Sequence, residues 1–244
     1  MELISKESCT INGEGFSLYY MCAESLADPG LFNECLLQVP KSRREKVGRY
    51  LFRKDKRMSL AAGLLLKEAL RDFGLRDDKL SINEHGKPML LGTDTSFSLS
   101  HSSGYAALVI GEIKNSSLGV DIEKIPEKDF LNIARRFFKE NELEALESLD
   151  SLSGAAKKGG MMDKPNPLCD ARMDSFSSAP ELFTLIWTRK EAYGKAVGDG
   201  LKSALEFDTF GKKTLSRVFF DSFKFPLDRN LVCSICVTNQ GQKN

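Results

Sequence analysis

The stretch G-V-D-I-E-K-I, residues 119–125, sets Asp121 and Glu123 two positions apart among Val120, Ile122 and Ile125. In a strand such positions share a face, roughly 7 Å apart at Cα. The apolar residues turn to packing, so two carboxylates stand together on the opposite side. Adjacent carboxylates repel, and one keeps its proton unless a cation lies between them. Oxygen-only ligands suit Mg²⁺, which takes one or two carboxylates together with waters and substrate phosphates. The plain alternative is a solvated strand face with Lys124 as a partner.

A second constellation is W-T-R-K-E-A-Y-G-K-A, residues 187–196. Leu185, Ile186, Ala192, Tyr193, Ala196 and Val197 form the apolar stripe of a helix, and Trp187 lies one turn before Glu191. Glu191 and Lys195, four apart, share a face beside that stripe. An exposed helix pair accounts for such spacing as it stands. The chemical reading is a third carboxylate for a metal or a proton acceptor, with an ammonium one turn on to meet negative charge.

Ser100 and His101 end the strand S-L-S-H-S, where a hydroxyl, an imidazole and turn amides suit a phosphate. Turn chemistry is the other reading. A Ser-His-Asp hydrolase is not expected, because adjacent strand residues point apart and no Gly-x-Ser-x-Gly elbow occurs. G-K-P holds Lys87 near a rigid turn, and the basic run 41–57 ends in Arg57. Together they suit a multiply phosphorylated ligand, although most of that run reads as solvated charge.

The elements that must position these groups follow from periodicity. S-F-S-L-S, Y-A-A-L-V-I-G and L-G-V-D-I-E-K-I read as a three-strand meander over 96–125, stopped by Pro126. Phe97 and Leu99 share one face of its first strand. M-S-L-A-A-G-L-L-L-K-E-A-L-R-D-F-G-L is a helix stopped by Gly74, and a second long helix ends at Gly198 or Gly200. Residues 129–148 are helical, with a break near Lys139. L-E-F-D-T-F, S-R-V-F-F-D-S-F-K-F and N-L-V-C-S-I-C-V-T read as short strands. Residues 149–180, rich in Gly, Pro, Ser and charge, lack periodicity and are expected to be a mobile insertion. A helix followed by short strands occurs in each half.

The chain has 244 residues, 41% hydrophobic and 28% charged, as expected of a folded globular protein. Lys and Arg total 35 against 34 Asp and Glu, a balance that argues against a dedicated nucleic-acid binder. No apolar run approaches membrane-spanning length, and no basic segment followed by an apolar one opens the chain, so a cytoplasmic protein is expected. The six cysteines are scattered. Cys233 and Cys236, three apart on a strand, face opposite ways, and no second pair completes a zinc site, so structural thiols are expected.

G-K-P, S-L-S-H-S, G-V-D-I-E, W-T-R-K-E-A-Y-G-K-A and G-D-G-L, in that order, resemble the 4′-phosphopantetheinyl transferase superfamily, in its larger surfactin-synthetase-activating type. The resemblance implies an α+β fold of two pseudo-two-fold duplicated halves, each a small antiparallel sheet packed with helices. Those halves would be residues 1–113 and 114–244. It implies transfer of the 4′-phosphopantetheine arm of coenzyme A to a serine of an apo acyl or peptidyl carrier protein, releasing 3′,5′-ADP. Asp121, Glu123 and Glu191 would hold Mg²⁺. Glu191 would also be the base, and Lys195 would meet the departing phosphate. Arg57, Lys87, Ser100, His101, Lys190, Arg43 and Lys46 would contact the coenzyme A phosphates. A monomer acting on neither nucleic acid nor membrane is expected. Two other functions share these features: a non-catalytic coenzyme A-binding module and an Mg²⁺-dependent pyrophosphate hydrolase. The long 149–180 stretch departs from the family pattern.

Overall fold

Alternating apolar residues build two antiparallel sheets, and each receives one long helix. They are seen in a computed structural model that describes residues 3–155, 176–211 and 217–239. The first sheet has the order β1-β2-β6-β5, from β1 (Ser5–Ile11), β2 (Glu14–Cys22), β5 (Thr95–Ser102) and β6 (Tyr105–Glu112). Between β2 and β5 come α1 (Pro29–Gln38), α2 (Lys41–Arg49), α3 (Arg53–Asp72) and a hairpin of β3 (Leu80–Ile82) and β4 (Pro88–Leu90). The second sheet has the order β7-β9-β8, from β7 (Ser116–Lys124), β8 (Val218–Lys224) and β9 (Leu231–Asn239). Its helices are α4 (Phe130–Phe137), α5 (Glu140–Ala155), α6 (Ala179–Val197) and α7 (Leu201–Glu206). The architecture is the expected α+β arrangement of small antiparallel sheets packed with helices.

Three expectations need correction. The meander breaks after its second strand: β5 and β6 pair, but β7 pairs with β9. The other edge of β6 is taken by β2, so β7 has no edge there to join. L-E-F-D-T-F is not a strand. Leu205 and Glu206 end α7, and Phe207 turns inward to stack on Tyr193, ring centroids 4.0 Å apart. The stretch 149–180 is helical at both ends, because α5 continues to Ala155 and α6 starts at Ala179. Its middle, 156–175, lies outside the described residues.

The apolar faces explain the layering. The apolar face of α3 buries Leu60, Leu64, Leu65 and Ala69 against Tyr19, Met21, Leu108 and Ile110 of the first sheet. The other face of that sheet, with Leu18, Tyr20 and Val109, packs on Val120, Ile122, Ile235 and Val237 of the second. Cys233 lies in this middle core, whereas Cys236 faces the opposite way, under α6 with Ala192 and Ala196. The two thiols therefore point apart, as strand alternation requires.

Candidate active site at the seam between the two sheets

Helix α6 carries the Glu–Lys pair, and its ends are well specified. Ser178 and Glu181 form a reciprocal capping box at its start, and Gly198 in the left-handed region (φ 84°) closes it. Its approach to β7 depends on one residue. A Cβ at Gly119 would stand 1.8 Å from the Ala192 carbonyl oxygen and 2.7 Å from the Ala196 nitrogen. Gly119, Asp121 and Glu123 share a strand face by the two-residue period, so this close contact brings the last turns of α6 over both carboxylates.

The result is a triad around the buried Asp121 carboxylate. Lys195 Nζ donates to Asp121 Oδ1 at 2.7 Å and to Ser100 Oγ at 2.9 Å, and Ser100 Oγ donates to the same carboxylate oxygen at 2.8 Å. Asp121 is 3% exposed, and its second oxygen, Oδ2, is buried without a hydrogen-bond donor among the described residues. Glu123 Oε2 accepts from Ser102 Oγ at 2.9 Å. Burial raises all three carboxyl pKa values, Asp121, Glu123 and Glu191. Repulsion from Asp121 adds to the rise at Glu123 and Glu191, and Lys195 opposes the rise at all three.

Four serines of β5 build the seam. Ser96, Ser98 and Ser100 accept from the backbone N–H groups of Leu118, Val120 and Ile122 at 3.0, 3.1 and 3.4 Å, and Ser102 reaches Glu123. The free edge of β7 is thus satisfied by hydroxyls rather than by another strand's backbone. The signal for it is the period-two run S-F-S-L-S-H-S, which sets Ser96, Ser98, Ser100 and Ser102 on one strand face.

Lys87 belongs to this neighbourhood. Its Nζ donates to the Ala196 carbonyl at 2.9 Å, and Asn83 Nδ2 donates to the Gly198 carbonyl at 2.8 Å, so the β3–β4 hairpin caps the end of α6. Burial lowers the Lys87 ammonium to about 8. A cavity of ≈ 300 Å³ opens beside it, lined by Lys87, Ser98, Phe97, Leu99, Glu191 and Lys195.

Other expected contacts fall elsewhere. His101 is exposed, on the opposite face of β5 from Ser100. Arg57 is bridged to Glu24 at 2.7 Å, and its Nε is buried with no hydrogen-bond partner among the described residues. Lys46 is exposed on α2. Arg43 lies across Gly63 of α3 and lines a different cavity. Lys190 is 1% exposed and is not placed to meet a phosphate, because its ammonium is taken by Glu142 at 2.8 Å and by the Phe207 carbonyl. Glu142, fully buried, also accepts from Lys139 N, Thr209 N and Thr209 Oγ1, each at 2.8 Å. Nothing in the residue types marked that partnership beforehand.

Among the described residues, no three His, Cys, Asp or Glu side chains form a ready metal-ligand set. The expected grouping of Asp121, Glu123 and Glu191 is therefore not closed, since Lys195 supplies the positive charge against Asp121. The donors nevertheless fit a hard divalent cation. All are carboxylate oxygens, one is an orphan, and their mutual repulsion raises two of the three.

The two-sheet α+β fold brings carboxylates, a lysine and a lysine-lined cavity together at its seam. The family profile described as 4′-phosphopantetheinyl transferase superfamily matches residues 117–233, and that described as 4′-phosphopantetheinyl transferase, N-terminal, matches residues 29–113. The chain belongs to the 4′-phosphopantetheinyl transferase superfamily. It is 32% identical over 177 residues to 4′-phosphopantetheinyl transferase gsp of Aneurinibacillus migulanus, covering 71% of this chain and 62% of that protein. It is 28% identical over 176 residues to 4′-phosphopantetheinyl transferase Sfp of Bacillus subtilis, covering 70% and 65%. With the L-aminoadipate-semialdehyde dehydrogenase-phosphopantetheinyl transferase of Rattus norvegicus it shares 25% over 216 residues, covering 80% and 60%. The chain thus spans a little under two thirds of the length of these relatives.

Proposed function

We propose that this chain moves the 4′-phosphopantetheine arm of coenzyme A onto a serine hydroxyl of an apo carrier protein and releases 3′,5′-ADP. The observation that carries the reading is the Lys195–Asp121 contact with Glu191 beside it, next to a cavity that also holds Lys87. The serine oxygen attacks the phosphorus that bears the pantetheine arm. A new P–O bond forms to serine, the pyrophosphate P–O bond breaks, and the electron pair leaves with the ADP phosphate. Glu191 takes the serine proton. Its raised carboxyl pKa brings it nearer the working range of a general base. Lys195 offers an ammonium to the leaving phosphate, where charge develops. Asp121, Glu123 and Glu191 would hold Mg²⁺. Bound there, it would neutralise the pyrophosphate oxygens. Lys87 and Arg57 would contact the coenzyme A phosphates; Ser100 is assigned to holding Lys195 and Asp121 in place.

The division into halves at residues 113 and 114 is part of this proposal, supported by the separate sheets. So is action as a cytoplasmic monomer on a carrier protein rather than on nucleic acid or membrane. Among the described residues, no helix is long and apolar enough to cross a membrane.

The test is intact mass of a panel of apo carriers after incubation with the protein, coenzyme A and Mg²⁺. A gain of one phosphopantetheine per carrier is expected. Coenzyme A binding without carrier modification would make the chain a binding module. Free phosphopantetheine released without a carrier would make it a hydrolase.

A further inference from the structure

A cavity of ≈ 700 Å³ lies along α3 away from the seam. Its volume falls in the range of small-molecule sites. Leu66 in its wall is nine positions from Arg57, roughly 14 Å along the helix axis. No lining residue belongs to the Lys195–Asp121 cluster. Val39, Leu66, Leu70, Leu75 and Leu80 form an apolar strip of its wall, polar and charged side chains including Lys67 and Asp77 line the rest, and Arg43 enters it.

Arg43 is held there at a cost. Gly63 interrupts an Ala- and Leu-rich helix, where glycine is worth about 1 kcal/mol less than alanine. A Cβ at Gly63 would stand 2.8 Å from Arg43 Cγ and 3.2 Å from its Nε, so the glycine leaves room for the arginine to cross α3. Burial lowers the Arg43 pKa, and among the described residues no carboxylate forms an ion pair with it. Two of the neighbouring cations are already matched by carboxylates, and a third has only an amide. Arg71 is bridged to Glu68 and Asp72, Arg76 to Asp78, and Lys67 donates to the neutral Gln38. Arg43 is partly exposed, so its guanidinium, with no carboxylate against it, is open to an anion that enters the cleft. Asp77 in the same lining disfavours a second negative charge on whatever completes it.

We propose that this cleft is a second binding site, for a singly charged carboxylate carried on an apolar chain, with Arg43 as the bidentate partner of the carboxylate and the leucine wall covering the chain. The proposal does not depend on the transfer reaction, and the probe is decanoate in the absence of coenzyme A and carrier.

The experiment is calorimetric titration of the whole protein with decanoate, decanol, acetate and inorganic phosphate. Decanoate should bind saturably, and Arg43→Gln should weaken it about tenfold or more, since a hydrogen bond to a charged group is lost. Gly63→Ala, which displaces the arginine rather than removing it, should weaken it in the same direction. Thermal unfolding of each variant checks that it is folded. Decanol and acetate, each lacking one half of the ligand, should bind far more weakly. The site is overturned if decanoate does not saturate, if Arg43→Gln binds it as the parent does, or if decanol binds equally well. It is also overturned if inorganic phosphate or coenzyme A displaces decanoate, since the cleft would then belong to the coenzyme site.

Discussion

Lys195 Nζ lies 2.7 Å from Asp121 Oδ1, with the ammonium side chain 31% exposed and the carboxylate side chain 4% exposed. One partner reaches solvent and the other does not. The lysine can therefore meet an incoming phosphate while Asp121 stays fixed by Ser100. Asp121→Asn and Glu191→Gln are expected to lower the rate of carrier modification by about 10²–10⁴-fold, the range of a lost proton acceptor or charged group. Intact mass of the carrier over time measures it. Full activity in both variants would remove the catalytic assignment.

The carboxyl pKa values give a pH signature. Glu123 and Glu191 are raised above the usual value of 4.5, by burial first and by Asp121 second. A raised folded pKa means that the native state binds more protons than the unfolded chain between the two values. The stabilising contribution of these groups is thus full below about pH 4.5 and is lost as the pH rises through their raised values. Mg²⁺ should raise the melting temperature at neutral pH, and this gain should vanish on acidification, as protons replace the metal. Asp121→Asn should blunt the gain. A Mg²⁺ shift that is the same at both pH values would contradict the three-carboxylate assignment.

Gly119→Ala should push α6 off β7, because the added methyl falls 1.8 Å from a backbone oxygen that cannot rotate away. A loss of about 1–3 kcal/mol or more is expected from overpacking, together with loss of transfer. Gly48→Ala, in α2 with nothing within 4 Å, is the matched control and should stabilise by up to about 1 kcal/mol. Urea midpoints compare the two.

Ser98→Ala should leave the Val120 N–H buried without its hydroxyl acceptor. A cost of about 1–3 kcal/mol is expected. Hydrogen exchange at the Val120 amide should quicken, while amides in the β8–β9 pairing keep their protection. Unchanged exchange at Val120 would show that the serine seam does not hold the β7 edge.

Lys190→Met tests whether Lys190 is structural. Losing it leaves Glu142 fully buried and uncompensated, which costs about 3–5 kcal/mol. Adding Glu142→Gln should recover part of that loss, a non-additivity read from a double-mutant cycle in urea. If Lys190→Met keeps full stability and weakens only coenzyme A binding, the phosphate-contact expectation is restored.

Legibility followed the range of the forces. Asp121 and Glu123 share a face because strand geometry repeats every two residues, and Glu191 and Lys195 share one because a helix repeats every 3.6. The α3 and α6 helices and most strands were therefore readable from local periodicity, as was the divergence of Cys233 and Cys236. L-E-F-D-T-F has the pattern of a strand but does not form one, because Phe207 finds Tyr193 and Phe220, contacts that no local pattern encodes.

The sequence by itself determined which groups lie together on each element, the order of the chemical motifs and the class of protein they indicate. Only the tertiary structure decided which elements meet. It carried β7 away from β6 to β9, laid α6 against Gly119, turned the serines of β5 into donors and acceptors for a second sheet, and sent Lys190 to Glu142 instead of toward the cavity. Each of these is a long-range pairing set by burial and by the need to satisfy polar groups away from water. The spacing of residues along one chain cannot say which distant partner will satisfy them.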